Sequence, residues 1–171
     1  MAADPITDRL AGTAAKLTPP RTKPHTSVVA LPDQWFVACK ASELRGRKPL
    51  ARTIAGTPLA VFRGASGRPG ALLDRCAHRN VPLTLGKVAG EHLQCAYHGW
   101  EFDQKGACQA VPGLCKPLDD ARRGRVPAYA ATEQDGFIWV YSTPDVKPET
   151  TPFRMPALAG LGYTTVQREV R

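Results

Sequence analysis

Residues 76–80, Cys76-Ala77-His78-Arg79-Asn80, and residues 95–100, Cys95-Ala96-Tyr97-His98-Gly99-Trp100, carry the pattern around which the chain is arranged. Each stretch supplies one Cys and one His, and sixteen residues separate His78 from Cys95. Thiolates and imidazoles are the donors that iron and zinc take from proteins. To bind, each thiol must lose its proton and each imidazole must present a lone pair. Two thiolates and two imidazoles from two short loops suit a two-iron, two-sulfide cluster in which one iron takes both Cys and the other both His. The same donors also form a tetrahedral zinc set, although zinc fingers usually draw both Cys from one segment and both His from another. The order here is Cys, His, Cys, His, which favours the cluster and leaves a zinc-binding structural module as an alternative.

The chain of 171 residues is long enough for one domain with a real core. Its 16 Pro and 15 Gly, with scarce helical periodicity, favour short strands and many turns, hence an all-β fold of antiparallel sheets. Five cysteines are present; with Cys76 and Cys95 assigned to the centre, Cys39, Cys108 and Cys115 remain. An odd remainder in a chain this size argues against a disulfide framework and for a reducing compartment, the cytoplasm. The net charge of +8 gathers at Arg45, Arg47, Lys48 and Arg52 and again at Arg122, Arg123 and Arg125. Such patches are either solvated faces or steering surfaces for an acidic redox partner. No aromatic residues interleave with them and no reader motif accompanies them, so nucleic acid is not an expected partner. No apolar run is long enough to span a membrane, and the N-terminus lacks an apolar signal core.

Residues 1–27 read as a flexible tail broken by Pro5, Pro19, Pro20 and Pro24, with a short helix over 6–17. The domain is expected over 28–143. Strands are predicted at Trp35–Cys39, Pro58–Arg63, Ala71–Arg75, Glu91–Ala96, Trp100–Asp103, Ala107–Val111, Val126–Ala130 and Gly136–Tyr141, the last pair turning around Glu133-Gln134-Asp135. Ala41–Leu44 reads as one helical turn capped by Ser42. Residues 64–70 read as a hairpin loop; their glycines would suit a phosphate cradle only if a helix followed, and none is predicted. His92, on a strand, reads as a bystander to the four ligands, and the pair Asp119–Asp120 as a solvated turn. Residues 144–171 read as a Pro-rich linker and the start of a missing or truncated C-terminal domain, with a weakly alternating strand at 162–171.

The C-x-H-R run, the C-x-x-H-G-W run and the gap between them resemble a Rieske [2Fe-2S] domain, in particular the one that opens the large subunit of Rieske non-haem iron oxygenases. Asp33-Gln34-Trp35-Phe36, Arg63 and Gly136-Phe137-Ile138-Trp139-Val140 resemble the family's flanks, so the resemblance covers about residues 31–160. It implies that Cys76 and Cys95 hold the inner iron and His78 and His98 the outer, at an exposed tip. It also implies that Arg79, Gly99 and Trp100 shape the loops, that Val81-Pro82-Leu83 packs over the cluster, and that a third loop at Pro112-Gly113 covers its other side. High-potential members carry a Ser where this chain has Trp100, and a bracing disulfide where it has Val81 and Tyr97; both absences point to a midpoint of about −150 mV.

The implied function is one-electron transfer as the Rieske domain of an oxygenase-type oxidoreductase. The electron donor would be a ferredoxin or a flavin/iron-sulfur reductase, and the acceptor a mononuclear-iron oxygenase domain. That second iron needs two His and a carboxylate. Apart from the four ligands only His25 and His92 remain, so no complete oxygen-activating site is expected here. A self-contained Rieske ferredoxin serving a separate oxygenase is the alternative; zinc analysis against acid-labile sulfide separates both from the zinc module.

Overall fold

The computed structural model describes residues 31–113 and 124–154. The tail with its expected helix and His25, Cys115, Asp119, Asp120, Arg122, Arg123 and the strand expected at 162–171 lie outside the described residues. Among the described residues, ten strands form two antiparallel sheets, the all-β architecture expected. They are β1 Trp35–Lys40, β2 Leu50–Ile54, β3 Thr57–Arg63, β4 Pro69–Leu73, β5 Lys87–Ala89, β6 His92–Gln94, β7 Glu101–Phe102, β8 Cys108–Ala110, β9 Ala128–Gln134 and β10 Phe137–Pro144. The larger sheet runs β1-β10-β9-β4-β3-β2 and the smaller β5-β6-β7-β8.

Turn chemistry sets the hairpins. Ala55-Gly56 and Asp135-Gly136 have positive φ at both residues, and they join Ile54 to Thr57 and Gln134 to Phe137 as two-residue loops. That is the turn whose twist matches the strands it connects. Glu133 and Gln134 therefore belong to β9, and the turn sits one step later than expected, at the Asp-Gly pair. The turn Ala41–Glu43 is closed by Glu43, whose Oε1 accepts the Lys40 N–H at 2.8 Å, rather than by Ser42.

Strand β2 escaped the sequence analysis because Arg52 reads as surface charge. It is an edge strand, and Arg52 is its anchor: Nε donates to Ala38 O of β1 at 2.9 Å, and Nη2 meets Glu43 Oε2 at 2.7 Å. One side chain thus bridges the two outermost strands of the larger sheet. Inside lie Leu59, Val61, Phe62, Leu72, Ile138 and Val140, all fully buried. Phe62 lies flat over Gly70, its direct cross-strand partner, where a Cβ would stand 2.8 Å from the ring.

Several contacts hold the smaller sheet to the larger. Arg47 accepts the Val88 N–H with its carbonyl (2.7 Å) and donates Nε to Val88 O (3.0 Å), covering the β5 edge. Ala65 N donates to Gly90 O at 3.0 Å, and Gln104 Nε2 to Arg68 O at 3.1 Å. The hairpin loop at 64–70 offers no phosphate cradle, because the Glu91 carboxylate already accepts the N–H and Oγ–H of Ser66. Two members of the first basic patch, Arg47 and Arg52, are therefore structural fasteners, although Arg47, like Arg45 and Lys48, is exposed. Residues 145–154 lie along the sheet: Trp35 Nε1 donates to Thr150 O (3.0 Å) and Gln134 Nε2 to Phe153 O (3.1 Å).

Candidate metal centre

Two loops of the same construction face each other at one end of the molecule. In the first, Cys76 N donates to Val81 O (2.8 Å) and Asn80 N to Cys76 O (2.9 Å). In the second, Cys95 N donates to Trp100 O (2.8 Å) and Gly99 N to Cys95 O (3.1 Å). The fourth residue after each Cys is left-handed, Asn80 at φ 55° and Gly99 at φ 70°. Asn and Gly are the residues that reach this region most cheaply. The equal offset of Asn80 and Gly99 from the two Cys was readable in the sequence, and the role of Asn80 was missed there. The carboxylate of Asp74 closes the base of the first loop, accepting Thr84 N at 2.8 Å and Thr84 Oγ at 2.7 Å. Leu83 is fully buried beneath it, and Val81 packs half-buried against the same core.

The four sequence-predicted donors come together as two pairs. Cys76 and Cys95, 2% and 3% exposed, set their thiols side by side. Burial pushes the Cys76 thiol up to about 11; the His78 and Arg79 N–H groups oppose this, and the neighbouring Cys95 thiol adds to it. Buried thiols of this kind give up their protons only to a strongly charged metal centre. His78 and His98 lie at the exposed tip with ring centroids 4.7 Å apart and planes at 57°. Partial desolvation, then the neighbouring His98 and Arg79, hold His78 below the usual imidazole range, which favours the neutral ring that binds metal. Trp100 stacks on His78 at 4.8 Å and 5°, and Tyr97 tilts over His98 at 3.8 Å and 43°.

The third loop reaches the same place. A Cβ on Gly99 would stand 2.9 Å from Pro112 Cγ, so only glycine lets Pro112 close against the second loop. His92 lies elsewhere, with Nδ1 3.3 Å from Glu101 Oε2 across strands β6 and β7, while Gln94 Nε2 donates to Glu101 Oε1 at 2.7 Å. Among the described residues, no three His, Cys, Asp or Glu side chains converge on a single ion position. The donors instead form one thiol pair and one imidazole pair. That division fits a [2Fe-2S] cluster, in which each iron takes two protein ligands and shares the sulfides.

Residues 34–130 match the family model "Rieske [2Fe-2S] domain". The chlorophyllide a oxygenase of Chlamydomonas reinhardtii is 38% identical over 137 residues, 80% of this chain and 21% of that protein. The oxygenase component of dicamba O-demethylase from Stenotrophomonas maltophilia is 42% identical over 110 residues, 63% of this chain and 31% of that protein. A crystal structure of dicamba monooxygenase superposes with a TM-score of 0.59 at 40% identity, over 68% of this chain and 35% of that one. The chain spans a fifth to two fifths of the length of the curated relatives it matches. Among the described residues, no helix is long and apolar enough to cross a membrane. The chain belongs to the Rieske [2Fe-2S] domain family, whose cofactor is a [2Fe-2S] cluster, and it is homologous to Rieske oxygenase large subunits.

Proposed function

We propose that this chain carries one electron at a time as the Rieske domain of an oxygenase-type oxidoreductase, with Cys76 and Cys95 as ligands of the inner iron and His78 and His98 of the outer. The observation that carries this is the pairing of two buried thiols beneath two imidazoles at an exposed tip. When bound, the cluster supplies a one-electron couple, set higher by imidazole ligation than in all-Cys ferredoxins. The chain's own residues do the rest. The buried thiols exclude water from the inner side, and the His78 and His98 ring edges provide the exit toward a partner.

The partners proposed are a ferredoxin or a flavin/iron-sulfur reductase as donor and a mononuclear-iron oxygenase domain as acceptor. Exposed Leu85 (67%) and Tyr97 (59%) near the tip, with Arg79 and Lys87 exposed beside them, suit a partner with an apolar centre and an acidic rim. The acceptor site is placed outside the described residues: His92 is engaged with Glu101, and the two tip imidazoles are taken as ligands. Residues 144–171 would lead toward that domain, with residues up to 154 lying along the sheet. The cytoplasm is the compartment proposed, where a buried thiol such as Cys39 stays reduced. An anaerobic iron and acid-labile sulfide count, with an EPR spectrum after dithionite reduction, tests the reading. About two irons and two sulfides per chain with a Rieske-type signal are expected; zinc without sulfide would leave a structural module instead.

A further inference from the structure

The two imidazoles at the tip are braced unequally. Tyr97, over His98, is exposed, whereas Trp100, parallel to His78 within 5°, is half-buried and has a floor beneath it. That floor is Gly124, distant in sequence from both loops. A Cβ on Gly124 would stand 3.1 Å from Trp100 Cζ3 and 3.0 Å from Ala77 Cβ, closer than side chains normally pack, so the indole or the first loop would have to give way.

Gly124 is itself held from both sheets. Its neighbour Arg125 pairs with Ala107 in an isolated bridge, and Val126 N donates to Gly106 O at 2.9 Å. Arg125 Nη2 meets Asp145 Oδ1 at 2.7 Å, and the same carboxylate accepts Ala128 N at 3.2 Å. A continuous set of contacts therefore runs from the end of β10 through Asp145, Arg125 and Gly124 to Trp100 and the His78 ring.

We propose that Trp100 is the positioning residue that fixes the plane of the His78 imidazole, and that Gly124 acts through Trp100 by leaving room for the indole. The proposal rests on the assignment of His78 as a ligand. Stacking against the electron-rich indole face favours positive charge on the imidazole, which is greatest in the oxidised state. A displaced Trp100 also admits water, which favours the more negative reduced state. Both effects move the midpoint upward when the stack is lost.

The test compares Gly124→Ala, Gly124→Val, Trp100→Phe and the double variant Gly124→Ala/Trp100→Phe with the unsubstituted chain. Gly56→Asn serves as control, since a side chain at Gly56 meets nothing within 4 Å and Asn accepts positive φ. Iron and sulfide content, EPR g-values after dithionite reduction and the midpoint by protein-film voltammetry are read for each. Gly124→Ala should keep the cluster, shift the g-values and raise the midpoint, with Gly124→Val shifting further or losing the cluster. In the Trp100→Phe background, Gly124→Ala should add less than it does alone, because the indole atoms it would meet are gone and only the Ala77 Cβ contact remains. Unchanged g-values and midpoint in Gly124→Ala, or shifts that simply add in the double variant, would overturn the proposal. Absence of a Rieske signal in the unsubstituted chain would instead sink the ligand assignment.

Discussion

Gly99→Ala should weaken both the fold and cluster retention, and its size can be worked from two separate terms. The first is conformational. Gly99 sits at φ 70°, where an alanine costs about 1–2 kcal/mol; the reduced freedom of the unfolded chain returns about 0.4–1 kcal/mol. The second is steric. The new Cβ would stand 2.9 Å from Pro112 Cγ, and forced overpacking of this kind costs about 1–3 kcal/mol. The sum is about 1–5 kcal/mol. Gly90→Ala isolates the terms: Gly90 also has positive φ, at 61°, but a Cβ there meets nothing within 4 Å. It should cost only about 1 kcal/mol, the conformational term alone. Urea denaturation followed by far-ultraviolet circular dichroism gives both stabilities, and bleaching of the visible absorbance in a chelator gives cluster retention. If Gly99→Ala proves no less stable than Gly90→Ala and bleaches no faster than the unsubstituted chain, the closing of Pro112 against the second loop is not what demands glycine there.

Cys76→Ser or His98→Ala should abolish the cluster or grossly alter its EPR spectrum, and an unchanged spectrum would refute the ligand assignment. The midpoint is expected at about −150 mV, since Trp100, Val81 and Tyr97 replace the hydroxyl and the disulfide of high-potential members; voltammetry giving a value well above zero would contradict this. Phe62→Ala should cost about 3–5 kcal/mol, because it empties a fully buried ring site over Gly70, and a loss under 1 kcal/mol in urea would show that the core refills. Burial raises the Cys39 thiol and the Tyr129 phenol above their ordinary values of 9.0 and 10.0. Their unfolded forms therefore ionise first, so stability should fall as pH rises above about 9. A urea midpoint that stays flat from pH 8 to about 10.5 would exclude this contribution.

Much of the architecture was legible from short-range pattern. The Cys and His at the two loops and the apolar stretches around Trp35, Val61 and Ile138 each declare themselves within a few residues. Donor type and spacing are local chemical facts, and strand alternation with turn residues is a local steric one. What stayed hidden depends on partners far away in the chain. Arg47 and Arg52 read as members of a solvated patch, yet each hydrogen-bonds the backbone of a distant strand, so their role follows from sheet closure rather than from charge. Strand β5 is three residues long, and its edge is covered by Arg47; nothing local marks it as a strand. The loop boundaries also shifted, because Cys95 N–H pairs with Trp100 O and ends β6 at Gln94.

The amino-acid sequence by itself determined the fold class and the family, together with the four donors that the centre is proposed to use, because these rest on residue type and local spacing. Only the tertiary structure decided which imidazole is braced by Trp100 and which by Tyr97, and why Gly124 and Pro112 stand where they do. Those outcomes come from chain segments that meet only after the two sheets have closed on one another.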